Sequence, residues 1–179
     1  MPDLENTVSS LSELAYRPSA PVTENPAFKS LLDEIRVRAR SEEFDQQKFI
    51  SADVIERFKS LGVYRALVPK RFGGDERSPA EFCQMVEEIA RADGSAGWVA
   101  SFGMSPVYLS ALPLETIKKV YAKSPDVVFA GGIFPPQPAT FVEGGLNVNG
   151  RWKFSSGCMG AELIGVGISP KNGEMLGLP

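Results

Sequence analysis

Three side chains near the carboxyl end of the chain have the types and the spacing that suit a flat heteroaromatic ligand. Trp152, Phe154 and Ser156 occupy alternate positions, and alternate side chains of a strand point to the same face. Two aromatic rings and a hydroxyl on one face could pack against a planar ring and hydrogen-bond a polar atom at its edge. The alternative is a half-buried strand whose rings only fill a core. The pattern leaves both interpretations open.

The residues just before these three predict the element that would position them. Asn149-Gly150 is the favoured pair for a two-residue type I′ turn, in which both residues need a positive φ. We therefore expect Leu146–Asn149 and Gly150–Phe154 to pair as an antiparallel hairpin that presents the three side chains.

Other residue types exclude most forms of catalysis by the protein's own side chains. The sequence has no histidine, which excludes a histidine-based triad and argues against a zinc site. It has no Gly-x-Gly-x-x-Gly or phosphate-binding loop, and Cys83 and Cys158 lack metal-ligand spacing. Several helical carboxylates have solvated-face spacing, namely Asp33, Glu34, Glu42, Glu43, Glu87 and Glu88. No metal site and no catalytic residue can be assigned, so any chemistry must come from a bound cofactor.

The periodicity of the chain predicts an α+β fold with a helical part followed by a strand part. Helices are expected at about 25–40, 46–61, 78–92, 93–102 and 113–122, and strands at 127–130, 141–143, 146–148, 151–155 and 164–168. Ser78 and Glu81 have the pattern of a capping box. Asp93 is expected to cap the helix that carries Trp98. We predict a flexible lead-in over 1–24, a helical domain over 25–125 and an incomplete β-domain over 126–179.

Composition favours a globular protein of the cytoplasm. The chain is 43% hydrophobic with a formal net charge of -3, and no long basic run suggests a nucleic-acid partner. No apolar run approaches the roughly 18 residues of a membrane span, and no charged-then-apolar leader opens the sequence. The two cysteines are expected to be free thiols in a reducing compartment.

The segment Val148–Gly157 also resembles a known signature. It is similar to the middle β-domain of the acyl-CoA dehydrogenase superfamily, and most closely to the oxygenase branch, the flavin-dependent two-component monooxygenases, where Gly-Arg-Trp-x-Phe-x-Ser-Gly is typical. Pro69–Gly74 resembles the Pro-x-x-Tyr/Phe-Gly-Gly turn of these proteins, and Ile89–Trp98 resembles their next helix junction. Members have a helical N-terminal domain, a middle β-domain and a C-terminal helix bundle. The resemblance therefore implies a truncated chain in which the bundle is missing, and which alone would be inactive.

The resemblance implies a cofactor, partners and residue roles. Members of the oxygenase branch are homotetramers that use O2 and reduced FMN or FAD delivered by a separate flavin reductase. By position in the motif, Phe154 would lie against the isoalloxazine ring and Ser156 would reach flavin N5, with Trp152 as a further cofactor-binding residue. Trp98 would contact the substrate.

Departures from the family pattern favour one branch and one kind of substrate. Dehydrogenases carry a Thr-Glu-Pro-like segment where this chain has Phe134–Ala139, which favours the oxygenase branch. Phenol-hydroxylating relatives keep a histidine and a serine where this chain has Pro106 and Gly131. We therefore expect hydroxylation of an aromatic or heteroaromatic substrate such as an indole or a phenol. The two departures favour an indole or another heteroaromatic ring over a phenolate held by histidine. The alternatives are an FAD-dependent acyl-CoA dehydrogenase and a non-catalytic truncated fragment that binds a partner.

Overall fold

The helical part of the fold is set by clear start and stop signals in the sequence. The computed structural model describes residues 20–170. In this part of the chain the helices are α1 (Pro26–Ile35), α2 (Arg38–Gln47), α3 (Ala52–Ser60), α4 (Pro79–Ala92), α5 (Gly94–Ala100), α6 (Ser105–Leu109) and α7 (Leu114–Val120). The predicted capping box at α4 is confirmed, because Ser78 and Glu81 each bond the other's backbone N–H. The lead-in predicted over 1–24 lies mostly outside the described residues.

Two predicted helix boundaries are wrong. The first helix was expected to continue to residue 40, but it ends at Ile35 because Val37 is extended (φ −64°, ψ 125°) and α2 starts after it. The second was expected from residue 46, but Lys48 is left-handed (φ 67°) and ends α2, so α3 begins only at Ala52. The helical spacing of hydrophobic residues in the sequence continues from α2 into α3, because Ile50 is buried although it lies in the loop between these helices.

One hydrophobic core joins the helices to the start of the sheet. Its fully buried members include Phe28, Ile35, Phe58, Ile89 and Val128. Burial of each such side chain stabilises the fold by about 1.5–3 kcal/mol. Because Val128 belongs to this cluster, the first strand is anchored directly to the helices. None of the helices within residues 20–170 is long and apolar enough to cross a membrane.

The sheet has three strands in the described part of the chain, in the order β2-β1-β3. They are β1 (Phe129–Val142), β2 (Gly145–Val148) and β3 (Leu163–Pro170). β2 pairs antiparallel with β1 across a turn at Gly144, where φ is 79°. β3 pairs parallel with β1, and its register shifts between Gly132 and Gln137. The shift spans Pro135 and Pro136, which have no N–H to donate to the ladder.

The predicted hairpin across Asn149-Gly150 is wrong. Neither residue has a positive φ, and residues 149–155 form no strand. Phe154 has a φ of 58°, which a strand does not allow. A contact distant in sequence accounts for the difference, since the Trp152 indole N–H donates to the carbonyl oxygen of Gly167 at 2.7 Å. The segment is thereby held beside β3 instead of being folded back on β2.

Candidate functional site

A cavity of about 500 Å³ lies between the helical domain and the segment Ser155–Gly160. On the helical side it is lined by residues of α2, of the loop before α3 and of α5, including Phe44, Phe49 and Trp98. On the other side it is lined by all residues from Ser155 to Gly160. Its volume lies within the range of small-molecule and cofactor pockets.

Asp93 fixes the helical wall of this cavity. One carboxylate oxygen accepts a hydrogen bond from the Ala96 N–H at 2.8 Å and so caps α5, as the sequence predicted. The other oxygen accepts from the Ser41 hydroxyl at 2.9 Å and ties α5 to α2. Trp98 is thus carried by a helix that is anchored at its first turn. The Asp93 carboxylate has a structural role at the edge of the cavity.

Trp98 offers an aromatic surface. Its side chain is 60% exposed, and its ring meets that of Phe102 edge to face at 5.8 Å. A large apolar ring that is both exposed and held by a neighbouring ring is suited to contact with a planar ligand.

The opposite wall is a tightly packed turn. Gly157 has a φ of 77°, and a Cβ at this position would lie 2.9 Å from the Phe102 ring. A Cβ on Gly160 would lie 3.1 Å from Ile55 of α3. The turn therefore sits directly on both α3 and the Phe102 ring, so the two walls of the cavity have a fixed spacing.

The structure brings two of the sequence-predicted site residues together and leaves two apart. Trp98 and Ser156 both line the cavity, whereas Trp152 and Phe154 do not. Trp152 is half-buried against β3, and Phe154 is 86% exposed. The expectation that Trp152, Phe154 and Ser156 share one face of a strand is wrong, because this segment is not a strand and Phe154 is left-handed.

Ser155 is a site residue that the sequence reasoning missed. It lines the cavity beside Ser156, and its hydroxyl is buried without a hydrogen-bond partner in the described part of the chain. A Cβ on Gly132 would lie 2.9 Å from the Trp152 Cβ, so the absence of a side chain at Gly132 lets this segment, including Ser155, pack closely on β1. The sequence shows the Ser155-Ser156 pair, but strand alternation alone favoured only the second hydroxyl.

The helical carboxylates predicted to be solvated form ion pairs with neighbouring cations. Asp33 pairs with Arg36, Glu43 with Arg40 and Glu87 with Arg91. Among residues 20–170, no group of three or more metal-ligating side chains is placed to hold an ion. The cavity is lined mainly by aromatic rings, hydroxyls and backbone, and its charged residues Asp45 and Lys48 pair with each other. This lining suits binding and orientation of a planar molecule.

Comparisons with known proteins agree with these features. The family described as acyl-CoA dehydrogenase, N-terminal domain, matches residues 30–121. The chain is 67% identical over 166 residues to an indole-3-acetate monooxygenase of Pseudomonas putida, covering 93% of this chain and 43% of that protein. It is 32% identical over 123 residues to a flavin-dependent monooxygenase oxygenase subunit, HsaA, of Rhodococcus jostii, covering 68% of this chain and 32% of that protein.

The fold agrees with a solved structure. The crystal structure of 3-HSA hydroxylase from Rhodococcus sp. RHA1 matches with a TM-score of 0.76 and 30% identity, covering 88% of this chain and 41% of that one. The chain thus spans less than half the length of the relatives that it matches.

Proposed function

The chain belongs to the acyl-CoA dehydrogenase family through its N-terminal domain, and we propose that it is part of the oxygenase component of a two-component flavin-dependent monooxygenase. The observation that carries the proposal is the 67% identity to an indole-3-acetate monooxygenase over nearly the whole of this chain. Identity at this level spans the helices, the cavity and the turn from Ser155 to Gly160.

The cavity residues fit a reduced flavin, FMN or FAD, and its substrate. A planar ring system needs flat apolar contact and a few hydroxyl or backbone hydrogen bonds at its edge, and the cavity offers Trp98 on one wall and Ser155 and Ser156 on the other. The unpartnered Ser155 hydroxyl needs an acceptor that a polar ring edge could supply. Bound reduced flavin would supply the electrons that activate O2 for insertion into an aromatic ring.

The chain's own residues would bind and orient the flavin and the substrate, and would exclude water from the cavity. We propose that Ser156 hydrogen-bonds the flavin at N5. A contact of Phe154 with the flavin ring system stays a prediction, because its exposed ring lies outside the cavity. A cofactor contact by Trp152 remains a prediction, and its indole N–H already holds this segment on Gly167 of β3. Two carboxylates line the cavity, and both have partners. Asp93 accepts from Ser41 and from the Ala96 N–H, and Asp45 pairs with Lys48 at 3.0 Å.

The substrate that we propose is an indole carrying a carboxylate side chain. An exposed tryptophan ring in the cavity favours a flat heteroaromatic partner. Pro106 and Gly131 carry no side chain that could bind a phenolate, which favours an indole over a phenol. We also propose a separate flavin reductase as partner, a homotetrameric assembly and a cytoplasmic location.

Oxygen incorporation tests the proposal. The protein carrying these 179 residues is supplied with NADH, a flavin reductase, FMN or FAD, and indole-3-acetate under ¹⁸O2. We expect a product that contains one ¹⁸O atom, formed only when reductase and flavin are both present. Replacement of indole-3-acetate by 4-hydroxyphenylacetate should give less product.

Two results would contradict this function. Reduction of an electron-accepting dye by a short acyl-CoA, without ¹⁸O in any product, would identify a dehydrogenase. Absence of flavin binding, of O2 consumption and of dye reduction would identify a non-catalytic protein.

A further inference from the structure

A second cleft, of about 410 Å³, lies between the 3-10 turn Lys70–Phe72 and helix α7. It is lined by Arg71, Phe72, Leu114, Lys118, Tyr121 and Ala122. None of these residues lines the cavity described above. The cleft is therefore a separate feature of the surface, and it does not depend on the proposed function.

Two stacked aromatic rings form one wall of this cleft. The rings of Phe72 and Tyr121 lie 5.7 Å apart with an interplanar angle of 27°. Leu114 adds an apolar side chain that is largely exposed. Because Tyr121 is buried, the half-buried Phe72 ring and Leu114 supply the apolar surface on which another ring can pack.

Tyr121 also contributes a buried hydroxyl that lacks a partner. The residue is only 7% exposed, and no described group hydrogen-bonds its oxygen. An unpaired buried hydroxyl is unfavourable, because its hydrogen bond to water is lost without replacement. Burial raises the pKa of this phenol, so it stays protonated and can donate at neutral pH. A ligand in the cleft could supply the missing acceptor.

The charges around the cleft are mainly positive. The Arg71 guanidinium lies 4.8 Å from the centre of the Phe72 ring and forms no ion pair with the described residues. Lys118 is paired with Glu115 at 2.7 Å, and Glu76 accepts the backbone N–H of Lys70 at 3.0 Å. Lys70 and Lys119 are exposed nearby in sequence. The chain as a whole is negative, with a net charge of -3. A local cluster of cations in an acidic protein attracts anions.

The 3-10 turn that carries Arg71 is rigid. Gly73 closes it with a φ of 85° and donates its N–H to the Lys70 carbonyl at 2.9 Å. A Cβ on Gly74 would lie 1.9 Å from the Val68 carbonyl oxygen, so the backbone is packed tightly there. The cation and the aromatic wall are therefore held in place before any ligand binds, which lowers the entropic cost of binding.

We propose that this cleft binds a small planar aromatic molecule that carries an anionic group. The ring would pack on Phe72 and Leu114, the anion would pair with Arg71, and an acceptor atom would receive the Tyr121 hydroxyl. A carboxylate and a phosphate share this chemistry. The partial negative charge at the carboxyl end of α7 opposes an anion, and Lys118 and Lys119 in its last turn offset it.

Matched charged and neutral ligands test the proposal. Adenosine monophosphate and adenosine form one pair, and 1-naphthoate and 1-naphthalenemethanol form the other. Binding to the 179-residue chain is measured by calorimetry and located by amide NMR shifts at Leu114 and Ala122. We expect each anion to bind about tenfold more tightly than its neutral analogue. Tighter binding of the nucleotide identifies a phosphate ligand, and tighter binding of the naphthoate identifies a carboxylate ligand.

Variants separate ligand binding from folding. Tyr121→Phe removes a hydroxyl that has no partner, so the melting temperature should stay equal or rise while anion binding weakens about threefold to tenfold. Arg71→Gln should weaken binding of the anions and leave binding of the neutral analogues unchanged. The matched controls are Tyr108→Phe, at an exposed tyrosine, and Arg36→Gln, at the exposed arginine that follows α1 and pairs with Asp33.

The proposal is overturned if charged and neutral ligands bind equally, if Tyr121→Phe binds the anions as the unchanged protein does, or if the shifts fall elsewhere. A cleft that is covered by a second copy of the chain would give no ligand shifts, and Arg71→Gln would then change the sedimentation coefficient. That result would replace the ligand site by an interface.

Discussion

Lys59 and Glu162 form an ion pair across 103 positions of the sequence, with Nζ and Oε1 at 2.7 Å. The other oxygen of Glu162 accepts the N–H of Val128 at 2.8 Å. This one carboxylate therefore joins helix α3 to the residues that precede both β1 and β3. Burial raises the pKa of Glu162, but the bonds from Lys59 and Val128 outweigh it, and its pKa lies below the usual value.

We expect Glu162→Gln to destabilise the fold at neutral pH by about 0.5–1 kcal/mol, since half of the side chain is exposed and water screens the pair. A carboxyl whose pKa is lowered in the folded protein stabilises the fold at pH values above its unfolded pKa of about 4.3. This contribution is lost as the pH falls through the pKa of the folded state. The deficit of the variant should therefore vanish in acid. Urea unfolding at pH 7 and pH 3 measures it, with Glu56→Gln, at the more exposed partner of Lys59, as control.

The second prediction concerns Gly157 in the cavity wall. Gly157→Ala would place a methyl group 2.9 Å from Phe102 in a left-handed backbone. Gly144→Ala has a similar φ of 79° but nothing within 4 Å, so it reports the backbone cost alone. We expect Gly144→Ala to cost about 1–2 kcal/mol, and Gly157→Ala at least about 1 kcal/mol more. Equal unfolding free energies of the Gly157→Ala and Gly144→Ala variants would show that the turn is not packed against α5 and the Phe102 ring.

The third prediction compares the two cavity hydroxyls in the flavin-loaded protein. If Ser156 donates to flavin N5, Ser156→Ala removes a hydrogen bond of about 0.5–1.5 kcal/mol. We then expect more hydrogen peroxide and less hydroxylated product per flavin oxidised, with little change in melting temperature. Ser155→Ala serves as the comparison, because its hydroxyl has no protein partner to lose.

Unchanged coupling in Ser156→Ala together with a lower melting temperature would assign its hydroxyl to the local backbone. Uncoupling in Ser155→Ala alone would instead move the cofactor contact to its neighbour.

The fourth prediction concerns Arg65, which links the segment after α3 to the residues that precede β1. Its Nη1 donates to both oxygens of the largely buried Asp126, at 2.9 and 3.1 Å. Arg65→Ala leaves that carboxylate unpaired and should cost about 2 kcal/mol at pH 7. Burial raises the pKa of Asp126 even with Arg65 present, so in the variant the penalty should shrink as pH falls through the raised pKa.

Asp126→Asn in the Arg65→Ala background should recover part of the loss at pH 7. No recovery would mean that Arg65 stabilises through its other partners, the Lys59 carbonyl at 2.9 Å and Asp75 at 3.4 Å.

Local signals in the sequence predicted the helical half well. Ser78 with Glu81 and Asp93 with Ala96 form the expected caps because such caps involve only neighbours within one turn. The prediction of a turn at Asn149-Gly150 was wrong. The local preference of this pair for a turn contributes less to stability than contacts distant in sequence, such as the hydrogen bond from the Trp152 N–H to the Gly167 carbonyl. The parallel pairing of β1 with β3 has no local signature at all.

For the same reason the sequence predicted the members of the candidate site better than their arrangement. Trp98 and Ser156 meet at one cavity, whereas Phe154 lies outside it. Ser155 and Ser156 both line the cavity. The positive φ of Phe154 and of Gly157 breaks the strand geometry on either side of them, which alternation cannot indicate.

The parallel pairing of β1 and β3 has a consequence for the order of folding. Residues 149–162 must return along the whole length of β1 before β3 can pair, and Ser155–Gly160 lie in this return. Helices form from contacts close in sequence, whereas closing such a loop costs entropy before its distant contacts are made. We therefore expect the helical wall to fold early and the serine wall late, so that ligand binding appears only in the slowest refolding phase.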